Sequence, residues 1–191
     1  MDIDKIKIMY GIEHKSAKDI ANYYGNTVWQ VYRFMKKHGF DRRLSSETNH
    51  LKFLKSPLSF SVKNNLTQED RELWLGGILL YWAEGSKAGN CVVDFANCDE
   101  KMILIFLKML RTIYGISEEK LRVFIYCHAN QVQSELISHW SSLLNIPKSQ
   151  FTMPYVRKDF DINKSDKMKW GLVHIRYADV RLMEKIKQDI A

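Results

Sequence analysis

The sequence contains no apolar run long enough to cross a membrane. Its longest such run, residues 73–83, is shorter than the ~20 residues that a transmembrane helix needs. The opening residues, MDIDKIKIMYG, also lack the long apolar core of a secretory signal peptide. We therefore expect a cytoplasmic protein without a membrane partner, associated with the nucleoid if its source is prokaryotic.

Cysteine is scarce as well. The three cysteines, Cys91, Cys98 and Cys127, are odd in number, and none of them stands in C-x-x-C spacing. A disulfide framework needs pairs of cysteines, and a structural zinc site usually needs closely spaced ones. The sequence therefore indicates reduced, mostly structural thiols and argues against both a disulfide scaffold and a zinc site.

Positive charge is present in excess, and it is concentrated in the first third of the chain. Residues 1–65 hold twelve Lys and Arg against six Asp and Glu, whereas residues 66–191 hold seventeen against sixteen. Nearly all of the formal net charge of +7 therefore belongs to the first segment. A basic segment favours a polyanionic partner, because each phosphate that it neutralises releases counterions.

Residues 16–40 carry two helical patterns separated by Gly25. Ser16 with Asp19 three positions later is typical of a helix start, and Thr27 is placed to cap a second helix. An apolar set between residues 3 and 12 can supply a third helix. The positions predicted to face the shared core are Ala17, Ile20, Tyr24, Val28, Val31 and Met35.

Two helices joined by a short turn that contains glycine form the helix-turn-helix pattern, and the segment VYRFMKKHGF resembles that family. The resemblance implies a DNA-binding domain over residues 1–45, with residues 27–37 as the recognition helix. The alternative is a generic three-helix bundle with a basic, solvated face. Residues 46–66 mix Ser, Asn and Pro with basic residues and are predicted to be a linker. The candidate DNA contacts on the second helix are Thr27, Trp29, Gln30, Arg33, Lys36 and Lys37.

The stretch WLGGILLYWAEGSK places two adjacent glycines in an apolar helix that starts near Thr67. Gly76, Leu79 and Ala83 lie on one stripe, and small residues on a stripe allow two helices to approach closely. If the partner is the same helix of a second subunit, two Glu84 carboxylates meet near the two-fold axis. Such a pair is costly unless a cation lies between the carboxylates. Oxygen ligands with room for water suit Mg²⁺. The alternative is a core helix without any close crossing.

Residues 77–85, GILLYWAEG, resemble the nine-residue motif of the LAGLIDADG homing endonucleases. The resemblance extends to the segments 92–97 and 171–177 and spans roughly residues 68–190. It implies an α+β domain over residues 67–191, in which helices cover a saddle-shaped antiparallel sheet that binds DNA. It also implies that Glu84 is catalytic and that Glu84 and Gly85 hold Mg²⁺ or Mn²⁺. Two departures stand out: Leu79 occupies the interior glycine position of the motif, and Trp82 replaces its first acid.

The rest of the second domain alternates helical and strand patterns, which indicates the α+β class. Helices are predicted over 99–114, 130–144 and 179–190, and strands over 91–96, 121–127 and 170–177. The family uses a basic residue near the cleavage site, and Lys167 and Lys169 are the catalytic candidates. Asp94 is a possible supporting acid, one that contacts the metal ligands or metal-bound water instead of the metal itself. The candidate DNA contacts of this domain are Lys87, Arg122, Tyr126, His174 and Arg176.

Together these patterns favour a homodimeric endonuclease that hydrolyses double-stranded DNA with a divalent metal. A DNA-binding regulator that keeps the fold but no longer cuts is the first alternative. An unrelated basic protein, in which the glycine helix is only core packing, is the second alternative.

Overall fold

A computed structural model describes residues 1–87, 92–157 and 168–191. The chain divides into two compact units, Met1–Pro57 and Leu58–Ala191. The predicted α+β class is confirmed, because the described residues form eight α-helices and one four-stranded sheet. None of the helices in the described ranges combines the length and the apolar character that a membrane span requires.

The first unit is entirely helical. It contains α1 (Ile3–Lys7), which continues into a π-helical turn (Ile8–Ile12), then α2 (Ala17–Tyr24), α3 (Val28–Lys37) and α4 (Ser45–Lys55). The predicted starts of α2 and α3 are confirmed, since Ser16 and Thr27 accept hydrogen bonds from backbone N–H groups of their own helices. Gly25 joins the two helices in the left-handed conformation, with a φ of 64°.

The core of the first unit lies between α2, α3 and the N-terminal helical segment. Its buried residues include Ile6, Met9, Ile20, Val31 and Met35. Val28 belongs to the predicted core stripe but is exposed at the start of α3. Ile8 and Ile12 also face solvent, because the wider π-helical turn changes the angular spacing of the side chains along this segment.

The segment predicted as a linker, residues 46–66, divides between the two units. Its first part lies in α4, within the first unit. Its second part is extended and hydrogen-bonds to residues 113–117 of the second unit, with Ser61 N–H donating to the Tyr114 carbonyl at 2.9 Å. Phe60 and Val62 pack against the core of that unit. The boundary between the two units therefore falls after Pro57.

The second unit packs helices against one face of its sheet. The elements, in chain order, are α5 (Gln68–Glu84), β1 (Val93–Asn97), α6 (Glu100–Thr112), β2 (Leu121–His128), α7 (Gln133–Leu144), β3 (Tyr155–Arg157), β4 (Leu172–Tyr177) and α8 (Val180–Ile190). The strand order is β1-β4-β2-β3. Every second residue of the three longer strands is buried, so the helices cover one face of the sheet and leave the other open.

The expectation of a wholly antiparallel sheet is wrong. β4 runs antiparallel to both β1 and β2, but β3 lies at the edge and runs parallel to β2. The reason is the connection between β2 and β3. It contains α7, which returns the chain towards the start of β2, so that β3 begins in the same direction as β2. A helical crossover of this kind joins parallel strands, whereas a hairpin joins antiparallel ones.

The two adjacent glycines of α5 face different surroundings. Gly77 is buried against α6, and a Cβ atom added there would lie 2.8 Å from Cβ of Met109. Gly76 has no atom within 4 Å of the corresponding position. Gly77 is therefore required by packing inside the protomer, whereas Gly76 is not.

This difference predicts opposite effects of alanine at the two positions. Gly77→Ala should destabilise the second unit by about 1–3 kcal/mol, because Met109 has to move out of a packed core. Gly76→Ala should stabilise the protomer by about 0.5–1 kcal/mol, because alanine loses less backbone entropy in a helix. Urea unfolding of the two variants checks both signs. Equal effects at the two positions would contradict the packing described for α5.

Candidate nucleic-acid interface and acidic site

The exposed side of α3 presents cations beside an aromatic ring. Trp29 is 66% exposed, and the Arg33 guanidinium carbon lies 5.4 Å from the centre of its ring. Lys36 and Lys37 are exposed in the last turn of the same helix. Four of the predicted contact residues therefore share a helix whose other side is buried in the core of the first unit.

Thr27 and Gln30 are hydrogen-bonded to each other at the start of α3. The Gln30 side-chain oxygen accepts hydrogen bonds from the Thr27 backbone N–H at 2.8 Å and from the Thr27 hydroxyl at 3.1 Å. A bidentate contact with adenine needs both the oxygen and the nitrogen of the amide. The side-chain nitrogen of Gln30 can therefore donate to a ligand. A bidentate contact with adenine would require the side-chain oxygen as well, and its hydrogen bonds to Thr27 would have to break.

The open face of the sheet brings together four residues that lie far apart in sequence. Arg122 and Tyr126 on β2 and His174 and Arg176 on β4 all occupy positions between the buried ones. The strand register places Arg122 opposite Arg176. The sequence alternation predicted these positions, and the antiparallel pairing of β2 with β4 assembles them into one surface.

Asp94 on β1 is the acidic centre of this face. Its carboxylate accepts a hydrogen bond from Nε of Arg176 at 2.7 Å, and its other oxygen lies 2.9 Å from Nδ1 of His174. Burial by itself raises the pKa of Asp94, but the hydrogen bond from His174 and the charges of His174 and Arg176 more than offset that effect. The pKa of Asp94 is therefore lowered below its usual range.

Aromatic rings complete the open face, and sequence analysis assigned no role to two of them. The Arg176 guanidinium lies 4.2 Å from the ring centre of Phe124. Tyr126 makes edge contacts with His174 at 4.7 Å and with Tyr155 at 5.4 Å between ring centres. Phe124 stands in the alternating pattern of β2, which is a sequence signal for this face. The position of Tyr155 depends on the parallel pairing of β3.

The end of α5 lies against this sheet. The backbone of Gly85 pairs with Phe95, and the Ser86 N–H donates to the Asp94 carbonyl at 2.8 Å. Glycine is required there, since an added Cβ atom would lie 2.5 Å from the Tyr81 carbonyl oxygen. Glu84, immediately before this turn, is exposed to solvent. The predicted acid therefore stands at the junction between α5 and the edge strand β1.

The outward side of α5 is apolar along its second half. Leu79 is 48% exposed, and Gly76 and Ala83 lie beside it on the same side of the helix. Leu75 and Trp82, exposed at 52% and 57%, extend this side and were not assigned to it by sequence analysis. We call these five residues the outer face of α5. Because residues 73–83 are apolar almost all round the helix, their spacing alone could not show which stripe faces outward.

Of the two basic residues predicted to be catalytic, Lys169 is among the described residues and Lys167 is not. Lys169 is exposed, and its Nζ lies 5.1 Å from the ring centre of Trp170. The Gln131 side chain donates hydrogen bonds to the carbonyls of Met168 and Lys169 and so holds the backbone of this segment. Lys87, close after the end of α5, is exposed. Lys167 lies outside the described residues.

The described residues contain no group of three or more His, Cys, Asp or Glu side chains that could hold a metal ion. Among them the Glu84 side chain makes no hydrogen bond or ion pair, whereas the carboxylate of Asp94 has two partners. Among the described residues, one chain therefore supplies Glu84 as a carboxylate without a side-chain partner at this place, and Glu84 of a second chain would supply another.

None of the family models, curated proteins or solved structures compared with this chain matches it. The likeness of residues 77–85 to the LAGLIDADG motif therefore stays a prediction.

The pairing of Asp94 predicts a pH-dependent contribution to stability. Asp94→Asn should lower the free energy of unfolding by about 2 kcal/mol near neutral pH, because charged hydrogen bonds to His174 and Arg176 are weakened. A carboxyl group whose pKa is lowered by folding stabilises the protein above its ordinary pKa of 3.8. The difference between variant and wild type should therefore shrink as the pH falls below that value.

Urea unfolding over a series of pH values measures this difference. Glu184→Gln is the matched control, because Glu184 is an exposed carboxylate of α8 whose side chain has no hydrogen bond or ion pair among the described residues, and its neutralisation should change stability little. A loss for Asp94→Asn that does not vary with pH would show that the ionic pairing contributes nothing.

Proposed function

We propose that this protein is a metal-dependent endonuclease that cuts double-stranded DNA as a homodimer, of the LAGLIDADG homing-endonuclease type. The observation that carries the proposal is the outer face of α5, an exposed apolar surface that runs towards the free carboxylate of Glu84. Glu84 precedes Gly85, which pairs with β1, the edge strand of a sheet whose open face carries arginine, histidine and aromatic side chains. The proposed dimer surface, the proposed catalytic acid Glu84 and the proposed DNA-binding sheet face thus all belong to the second unit.

The α3 surface and the open sheet face supply the chemistry for DNA binding. Arg33, Lys36 and Lys37 present exposed positive charge in the first unit, and Arg122 presents it in the second, beside the half-buried Arg176 that is paired with Asp94. Exposed cations of this kind neutralise backbone phosphates, while base edges are read by side chains that enter a groove. Trp29 and Arg33, which project from a helix packed on a stable core, are placed to make such contacts.

The outer face of α5 supports self-association. Exposed apolar side chains that form one continuous patch on a helix favour a partner surface of the same kind. In an isologous dimer this face would meet its own copy across a two-fold axis. Gly76 leaves room for close approach at the centre, whereas Leu79 and Trp82 project from the same side. The two helices would therefore interlock through side chains as well as by backbone contact.

Such a dimer would bring together two Glu84 carboxylates, which fit the oxygen ligands that Mg²⁺ and Mn²⁺ accept. If the two Glu84 carboxylates held a divalent ion, it would supply activation of water and stabilisation of the leaving oxygen in phosphodiester hydrolysis. The chain's own contribution is to hold Glu84 next to Gly85, whose pairing with Phe95 fixes the end of α5 on the sheet. Lys169 and Lys87 are the described lysines proposed to contact phosphate.

A second function has its own supporting observation. The carboxylate of Asp94 is occupied by His174 and Arg176, so of these two acids Glu84 alone has a side chain without a partner among the described residues. Trp82, which stands where the family motif has its first acid, is exposed and apolar. These features favour a DNA-binding regulator that keeps the same surfaces without cleavage, and the experiments below separate it from the endonuclease.

The dimer can be tested with a pair of matched substitutions. Leu79→Glu places like charges at the proposed two-fold contact and should convert the dimer to monomers. The control, Ile105→Glu, adds the same charge at an apolar residue of α6 that is 41% exposed, and it should leave the dimer intact. Sedimentation equilibrium measures the mass of each protein. A wild-type chain that stays monomeric even when bound to DNA would exclude this assembly.

Cleavage is tested by Glu84→Gln, which keeps the shape of the side chain and removes its charge. Wild type and variant are incubated with a randomised duplex library in Mg²⁺ or Mn²⁺, and both cut ends and retained DNA are sequenced. Glu84→Gln should abolish cleavage and leave binding unchanged or slightly tighter. Wild type that binds selected DNA without cutting it supports the regulator. Equal cutting by the two proteins would place the metal ligand elsewhere.

A further inference from the structure

Two adjoining cavities lie in the first unit, away from the exposed side of α3. Their volumes are about 240 Å³ and about 260 Å³. Both are lined by Ser16 at the start of α2, by Arg43, and by Thr48 and Lys52 of α4. The cavities are therefore walled by α4, a helix that the helix-turn-helix pattern does not include.

The lining of these cavities is strongly cationic. Arg42, Arg43 and Lys52 line the first cavity, and Lys55 joins Arg43 and Lys52 around the second. Asp19 is the single acidic residue in either lining, and its carboxylate already accepts hydrogen bonds from the backbone and hydroxyl of Ser16. Four cationic residues thus line the two cavities, together with one carboxylate that is already hydrogen-bonded to Ser16.

Arg43 is held in place at this site by several contacts. Its backbone N–H donates to the Tyr10 hydroxyl at 3.0 Å, and its Nη1 donates to the Lys15 carbonyl at 3.2 Å. Its guanidinium carbon lies 3.9 Å from the ring centre of Tyr10. The second terminal nitrogen, Nη2, is buried and has no hydrogen-bond partner among the described residues. A buried charged donor without a partner is costly, so a phosphate oxygen that reached this nitrogen after a small movement of the side chain would relieve that cost.

We propose that these cavities form a phosphate-binding site, with Arg43 as the anchoring residue and Lys52 as a second cationic contact. A guanidinium group binds phosphate oxygens through paired N–H donors, and nearby ammonium groups add charge. The hydroxyl groups of Ser45 and Thr48, which line the first cavity, provide further donors. The excess of positive charge favours a dianionic or diester phosphate over a neutral ligand.

The phosphate can come from two sources that share this chemistry. One is the backbone of DNA bound by the first unit, in which case the site deepens the function proposed above and rests on it. The other is a free phosphate or a phosphorylated small molecule, in which case the site is independent of DNA. Inorganic phosphate and short duplex DNA are therefore tested separately on the same full-length chain.

Binding of inorganic phosphate is measured by calorimetry at constant ionic strength, with chloride as the compensating salt. Lys52→Ala removes one exposed cation and should weaken phosphate binding by roughly fivefold or more, as expected for a lost charge-assisted contact. Arg43→Lys keeps the charge but loses the planar fork and should also weaken binding. Lys5→Ala is the control, because Lys5 is an exposed cation of the same unit that lines neither cavity.

Binding of the duplex is followed by fluorescence anisotropy over a series of salt concentrations. If a DNA phosphate occupies the site, Lys52→Ala should reduce the slope of log affinity against log salt by about 1. If the slope is unchanged while phosphate binding is weakened, the ligand is a free phosphate. Phosphate binding by a chain that fails to bind DNA supports the site and removes the proposed DNA function.

Two results would overturn the site. The first is that wild type binds no phosphate and Lys52→Ala leaves the salt slope for DNA unchanged. The second is that Lys52→Ala and Lys5→Ala weaken phosphate binding equally, which would show only a general effect of charge. Because Lys52 is exposed and carries no hydrogen bond among the described residues, its replacement tests the site even if Arg43→Lys fails to fold.

Discussion

The second unit depends on the close approach of α5 to α6 at Gly77. Because Gly77 has no side chain, Met109 occupies the space beside its Cα atom, and α5 packs there against α6. This packing buries Ile78 and Tyr81 and turns Leu79 towards solvent. It also brings the end of the helix onto β1, so that Glu84 stands beside the sheet. The contact between the Gly77 backbone and the Met109 side chain thus helps to set both which side of α5 is exposed and where Glu84 lies.

The open sheet face shows how several cationic groups can share a small surface. Asp94 lies between His174 and Arg176 and compensates the charge of Arg176, which lies beside Arg122 on the same face and would otherwise oppose folding. Among the described residues, Arg176 bonds to Asp94 through Nε alone, and this leaves its terminal nitrogens as donors to a ligand. The carboxylate of Asp94 therefore holds the side chains of His174 and Arg176 in place, whereas the side chain of Glu84 has no partner among the described residues.

Both units place guanidinium groups over aromatic rings. A ring restricts the motion of the long arginine side chain but does not neutralise its charge, as an ion pair would. An arginine held in this way loses less conformational entropy when an anion binds. Among the described residues, the pairs of this kind are Arg33 with Trp29, Arg42 with Tyr32 and Arg43 with Tyr10, whereas Arg176 lies over Phe124 and is also ion-paired with Asp94.

The sequence by itself determined the features that depend on neighbouring residues. Helix starts at Ser16, Thr27 and Thr67 follow from side chains that cap their own helices, and the alternation in β2 predicts one buried and one open side. Only the tertiary structure decided which stripe of α5 faces outward, that Asp94 lies opposite Arg176, and that β3 runs parallel to β2. The reason is that these features depend on contacts between residues distant in sequence. Capping and periodicity act within a few residues, whereas strand register and helix orientation are set by the packing of the whole core.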